Sequence, residues 1–357
     1  MHRALFLLPV LLLLGIPWLV LHRSSEWMPA ATVVRQAAAR PADDDAFRYW
    51  PAFRHQAAAF KLELIRQHGP MQVLALGTSR TSVIRGTWLK PATFVNAGFG
   101  IIGLADVRPF LERTPHLPKV LILGLDQNFF NTVWQRRHLA IVPTALADPA
   151  ADQVVFNHWP EVWKGLAQRR FYPFREAGDR IGLAAINHLG GYRIDGSTAY
   201  ERQGAPPRPW QEVPLDERFR EARERIASGG DKFETGTQPD PGMLDELDRI
   251  AAWCTGKGIV LAGFLPPFAH SIWAELHDSA KGGAYAYLDR LPTEISAILV
   301  GHGGCLVDAS DLAELGLGDQ HAMDGYHADE DAYAILVGRL VAACPTLAGM
   351  VAAGSRP

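Results

Sequence analysis

The chain of 357 residues is 48% apolar and carries a net charge of −3 at pH 7, enough hydrophobic residue for a sizeable folded core. Its Lys and Arg residues are scattered rather than gathered into a basic stripe, so no nucleic-acid partner is expected. Cys254, Cys305 and Cys344 lie far apart in apolar surroundings, without metal-ligand spacing or a disulfide framework, and read as buried thiols.

After Met1-His2-Arg3, residues 4–21 read "ALFLLPVLLLLGIPWLVL", an uncharged run with no polar face and enough residues to cross most of a bilayer as a helix. This predicts an N-terminal membrane anchor over residues 1–23. The run exceeds the core of a usual signal peptide and no small-x-small site follows closely, which favours an uncleaved anchor over a cleaved signal. Arg3 keeps the amino terminus cytoplasmic and sends the body to the outer side of the membrane, although His22 and Arg23 weaken that asymmetry. Residues 24–45, rich in Ala, Pro and charge, predict a linker or exposed helical neck.

A globular domain is expected over residues 46–345, followed by a tail at 346–357. A helical stretch, "FRHQAAAFKLELIRQHG", precedes the apolar strands "MQVLALG", "TFVNAG" and "KVLILGLD". Later come the helix "LDELDRIAAWCTGKG", with Leu244, Leu247, Ile250, Ala251 and Cys254 on one face, the strands "IVLAGFLPP" and "GGCLVDAS", and a last helix "EDAYAILVGRLVAAC". Continuously apolar strands separated by helices predict an α/β fold whose parallel sheet is covered on both faces, with sites at the carboxyl ends of its strands. Residues 131–241, rich in Trp, Arg, Pro and Gly, interrupt the alternation and predict a cap-like insertion whose aromatic and Arg residues either pack on the base or line a carbohydrate groove.

In "LALGTSRTSV" the first strand ends in Gly77-Thr78-Ser79-Arg80, which places Ser79 at the functional edge of the sheet. Read alone, Ser79 fits a helix cap better than a nucleophile, and Thr81 stands where a nucleophile elbow of the usual hydrolase kind has glycine. "HAMDGYHADEDAY" supplies partners: Asp324 and His327 are three apart around Gly325, so the carboxylate reaches one imidazole nitrogen and leaves the other for a serine proton. The competing reading is a helix start favoured by Asp329, Glu330 and Asp331.

With these two blocks the chain resembles the SGNH, or GDSL-like, hydrolase superfamily, and more narrowly its membrane-anchored branches of cell-envelope acylation, such as the DltD-like proteins. The resemblance covers residues 45–130 and 240–345. It implies a three-layer flavodoxin-like fold with a central parallel sheet, a long insertion and the N-terminal anchor, and Ser79, Asp324 and His327 as the catalytic set. Asn96-Ala97-Gly98-Phe99-Gly100 resembles the second block, whose glycine amide, Gly100 or Gly98, holds the oxyanion. Gly124-Leu125-Asp126-Gln127-Asn128 falls at the third, where Asp126 replaces the expected Asn; a carboxylate repels an oxyanion, so either Asn128 donates after a two-residue shift or Asp126 is structural, accepting backbone amides. Arg80, Asp126 and His270, the last in "FLPPFAH", are further candidates for the substrate pocket, His270 competing with a plain surface role.

"GFGIIG", residues 98–103, also has the spacing of a dinucleotide loop, with Asp126 at the distance of a ribose acid. It follows the second strand rather than the first and leaves Ser79, Asp324 and His327 idle, so no cofactor is expected. No metal-binding motif or phosphate loop is present in the sequence, and "YRIDGSTAY" reads as a turn at Asp195-Gly196. The resemblance implies a serine acyl esterase or O-acyltransferase, O-acetyl being the expected group, on the periplasmic side of the inner membrane. Its partners would be an acylated polysaccharide or acyl donor, and a multispanning membrane acyltransferase. The alternative is a catalytically impaired domain that binds glycan or scaffolds an envelope complex, a reading that Asp126 favours.

Overall fold

The computed structural model describes residues 2–41, 44–53, 57–137, 151–169, 178–187, 190–200, 214–278, 280 and 282–351, the side chains of 2–8, 10 and 151–157 excepted. In chain order its principal elements are α1 (His2–Arg23), α2 (Ala30–Ala38), β1 (Arg48–Tyr49), α3 (Ala57–His68), β2 (Val73–Gly77), β3 (Phe94–Gly98), α4 (Val107–Glu112), β4 (Val120–Gly124), α5 (Ala151–Ala167), β5 (Arg180–Ile181), β6 (Gly191–Tyr192) and β7 (Thr198–Ala199). There follow α6 (Arg220–Ser228), α7 (Pro241–Gly256), β8 (Val260–Leu265), α8 (His270–Leu276), α9 (Tyr287–Gly301), β9 (Cys305–Asp308) and α10 (Glu330–Ala343).

Two compact units form: Leu64–Thr144, Asp195–Ser197 and Pro209–Pro357 make the larger, and Met1–Glu63, Ala145–Ile194 and Thr198–Arg208 the smaller. The larger is an α/β unit whose five strands run parallel in the order β3-β2-β4-β8-β9. Every residue of β2, β3 and β4 is buried, as the unbroken apolar sequences of β2 and β4 require of strands covered on both faces, and β3 buries Asn96 as well. The chain starts in the second position, crosses to the edge and returns on the other side of β2. That reversal lies at the carboxyl ends of β2 and β4, the usual place for a site in a sheet of this order.

The helices supply the cover. Asp240 caps α7 by accepting from Met243 N at 3.2 Å, and Leu247, Ile250, Ala251 and Cys254 form its buried face. The three cysteines are free and buried, and Cys305 and Cys344 lie close enough to influence each other's ionisation, a proximity their sequence spacing conceals.

The smaller unit has a four-stranded sheet, β5-β1-β6-β7, with β1 parallel to β5 and antiparallel to β6. Tyr49, Phe60 and Tyr192 pack in its core, and the wholly buried Lys61 places Nζ 4.2 Å from the Tyr192 ring centre. The stretch expected as one insertion, 131–241, is thus divided between two bodies; its residues 138–150, 170–177, 188–189 and 201–213 lie outside the described ones. The neck is helical at α2 but not exposed: Ala30, Val33, Val34 and Ala37 are buried, because the apolar residues of this short segment recur on one helical face. Glu26 is buried too, its carboxylate accepting Phe53 N and Leu183 N at 2.7 Å each.

On α1, Leu11, Leu12, Leu13, Leu14, Trp18 and Leu19 are exposed, whereas Val20 and Leu21 pack with Val162 and Leu183. Among the described residues no helix is long and apolar enough to cross a membrane, so a spanning anchor over 1–23 is not supported by them. The side chains of 1–8 and 10, which include a third of the apolar run, lie outside that description.

Candidate active site

β2 delivers Thr78 to the carboxyl edge, and the chain turns there into a short 3₁₀ helix, Ser79–Thr81. Thr78 Oγ1 caps it, accepting from Arg80 N at 3.2 Å while donating to Asp126 Oδ2 at 2.8 Å. Thr81 stands where an elbow glycine was missing because it fills a socket between neighbouring strands. A Cβ at Gly77 or at Gly124 would collide with Thr81 Oγ1.

The other half comes from the loop before α10. Ala322 and Ala328 form an antiparallel bridge at its base, Met323 N donates to His327 O at 2.7 Å, and His321 Nδ1 lies 3.0 Å from Asp329 Oδ2. Gly325 carries the chain round at φ +82, a left-handed conformation, and a Cβ there would fall 2.9 Å from Ile272 Cγ1. The Asp-x-x-His spacing therefore works only with glycine inside it.

These two segments meet. Ser79 Oγ lies 2.8 Å from His327 Nε2, and His327 Nδ1 lies 2.7 Å from Asp324 Oδ2. Asp324 Oδ1 accepts the backbone amides of Tyr326 and His327 at 2.9 and 2.7 Å. With Nδ1–H directed at the carboxylate, Nε2 is left to accept the serine proton. The Asp324 side chain is half exposed, yet its surroundings desolvate it and resist ionisation; the charge of His327 and the hydrogen bonds from His327 and Tyr326 outweigh this and hold the carboxyl well below the ordinary range.

The sign of that shift sets a pH dependence. A carboxyl depressed in the folded state stabilises it at full strength above the unfolded value of about 3.9, and the contribution is lost as pH falls through the lower folded value. The thermal midpoint of the wild type is expected to approach that of Asp324→Asn only below about pH 4. Convergence of the two melting curves already at pH 6 would contradict the assignment.

Of the three expected oxyanion donors, two are engaged within the chain. Gly98 N donates to Asn96 Oδ1 at 2.6 Å, and Gly100 N to Ala97 O at 2.9 Å. Asn128 differs: its Oδ1 accepts from Tyr326 Oη at 3.1 Å, and its buried Nδ2 has no acceptor among the described residues. Asp126 is fully buried and structural, but it takes side-chain hydroxyls rather than backbone amides, those of Thr78 and of Tyr326 at 3.1 Å.

Arg80 is wholly buried rather than presented to a pocket. Its guanidinium lies between the rings of Phe268 and Tyr326, 4.4 and 4.1 Å from their centres, and donates to Gln127 Oε1 and Pro266 O at 2.8 Å each. Gln127 Nε2 extends this to Pro266 O at 2.9 Å and Ser310 Oγ at 3.0 Å. The ends of β2, β4, β8 and β9 are thereby joined beneath Ser79. Sequence reasoning missed Gln127, whose only signal was its place inside the third block. His270 is exposed, paired with Asp311 Oδ2 at 3.0 Å, and is not among the residues drawn round Ser79.

Two further segments acquire roles. Asp195 backs the second block: its carbonyl accepts Asn96 N at 2.8 Å, Oδ2 accepts Gly86 N at 2.7 Å, and Oδ1 accepts Ser197 N and Oγ. In the glycine loop, Ile102 N and Gly103 N both donate to Asp106 Oδ2, at 3.0 and 3.1 Å. A carboxylate of the chain itself thus occupies the amides that a pyrophosphate would need. His321, Asp329 and Asp331 form the one grouping of potential metal ligands among the described residues, but Asp329 is already committed to Ala332 N and His321 Nδ1.

Comparison with protein-family models, curated proteins and solved structures gives no match to this chain.

Proposed function

We propose that the chain is an SGNH-type serine acyl esterase or O-acyltransferase, acetyl being the transferred group, that acts on an exported cell-envelope polysaccharide. The observation that carries this reading is the continuous relay from Ser79 Oγ through His327 to Asp324, at 2.8 and 2.7 Å. A strand order that runs second, first, third, fourth, fifth is that of flavodoxin-like sheets and agrees with it. His327 Nε2 takes the Ser79 proton as Oγ attacks the ester carbonyl, and the tetrahedral adduct collapses when His327 returns that proton to the leaving oxygen. Asp324 holds the imidazolium meanwhile. The resulting acyl-serine is resolved by water in an esterase, or by a sugar hydroxyl in a transferase.

The anchor belongs to the same proposal. The apolar run at 4–21, with Leu11–Leu14, Trp18 and Leu19 uncovered by protein, supports a place at the inner membrane with the site on the periplasmic side. A multispanning acyltransferase there would be the source of acyl groups. The second reading, an impaired domain that binds glycan or scaffolds an acylation complex, is favoured by the engaged amides of Gly98 and Gly100 and by Asp126 at the third block.

The full-length protein in detergent, incubated with an activated acetyl ester and digested, is expected to carry one acetyl group on the Ser79 peptide. Wild-type protein that gains no acetyl group, and that a fluorophosphonate also leaves unlabelled at Ser79, would select the binding or scaffolding reading.

A further inference from the structure

Next to the relay lies a cation that the mechanism does not use. Lys232 places Nζ 4.8 Å from the ring centre of Tyr326, and that ring stands perpendicular to His327 with 5.1 Å between their centres. Among the described residues Lys232 makes no hydrogen bond or ion pair. Its neighbours are accounted for: Asp231 pairs with Arg225 at 3.1 Å, and the Arg80 guanidinium is spent on Gln127 and Pro266. Around Tyr326, then, the cations Arg80 and Lys232 face two carboxylates, Asp126 and Asp324; Asp324 is engaged by His327 and by the Tyr326 and His327 amides, and Asp126 by the hydroxyls of Thr78 and Tyr326. Burial pushes the Lys232 ammonium down from its ordinary range, the charge of Asp126 pulling the other way.

The backbone is bent to put it there. Gly230 to Phe233 form a tight turn closed by Phe233 N to Gly230 O at 3.2 Å, with Asp231 at φ +49 and Lys232 at φ +82. Two consecutive non-glycine residues in the left-handed region each cost about 1 kcal/mol or more, and such strain persists where the surroundings over-determine it. Phe233 does so, its ring packing 5.8 Å from both Phe268 and Tyr326.

We propose that Lys232 binds an anionic substituent of the substrate, a carboxylate or a phosphate, beside the reacting ester. The inference rests on the acyl-transfer reading and names its substrate class: an acidic rather than a neutral saccharide. A single half-buried ammonium suits one anionic oxygen at a time, and partial desolvation strengthens that contact.

The test uses the full-length protein and three acetyl esters: of a methyl glucoside, a methyl glucuronide and glucose 6-phosphate. The wild type is expected to prefer one or both anionic esters in kcat/KM. Lys232→Met lowers the ratio of anionic to neutral kcat/KM by about tenfold or more, mainly through KM, and Lys232→Arg keeps most of it. The glucuronide and phosphate arms separate the two anion sources. Binding of the unacetylated glucuronide and sugar phosphate to Ser79→Ala, with and without Lys232→Met, is measured in parallel by calorimetry. Turnover with no anionic preference, or a preference that survives Lys232→Met, overturns the inference while leaving the acyl-transfer reading intact. Lys232-dependent anion binding without any turnover would sustain the site and defeat that reading instead.

Discussion

Ser79→Ala, His327→Ala and the double variant are expected to leave the same small residual turnover of an activated acetyl ester. Each should lower kcat by roughly 10⁴–10⁶-fold, and the second substitution should add little to the first. The reason lies in the geometry: Oγ without Nε2 at 2.8 Å keeps its proton, and Nε2 without Oγ has nothing to activate. Groups that act as one unit lose their effect together. Asp324→Asn is expected to cost about 10⁴-fold or less, because it reverses the hydrogen bond that fixes the His327 tautomer but leaves both reacting groups in place. Losses from Ser79→Ala and His327→Ala that multiply in the double variant would show that the two do not share a step.

Arg80→Leu is expected to be the most destabilising single change in the α/β unit, by about 3–5 kcal/mol in urea unfolding. It strands Gln127 Oε1 and one bond of Pro266 O in a buried site and removes the cation between two aromatic rings. Arg80→Lys should recover little, since one ammonium does not reproduce a planar fork that donates to two acceptors while stacked on both faces. A loss under about 1 kcal/mol for Arg80→Leu would mean that the joined strand ends contribute little to stability.

The parts of this architecture that sequence revealed are those in which one local pattern has one structural outcome. The unbroken apolar stretches became β2, β4 and β8, strands buried along nearly their whole length, whereas the outer strands depart from that pattern, β3 burying Asn96 and β9 alternating between buried and more exposed positions. Asp324 and His327 were legible for the same reason, their spacing and Gly325 together defining a turn. Contacts between distant residues left no such trace. Asp126 takes its hydroxyls from residues 48 and 200 positions away, and Cys305 meets Cys344 across a strand and a helix. A glycine spacing shows where the backbone is free to bend, but not where the amides point: those of Gly98 and Gly100, expected at an oxyanion, face their own chain. The long middle segment read as one body because it is contiguous, whereas β1 at residue 48 pairs with strands at 180 and 192.

The glycine loop at residues 98–103 carries its own anion. Since Asp106 is tethered four residues from Ile102 N and three from Gly103 N, its carboxylate is held at an effective concentration that no dissolved anion reaches. The loop consequently behaves as if permanently saturated. An anion offered to these two amides has to displace the Asp106 carboxylate first, and that competition subtracts from whatever stability its binding would add.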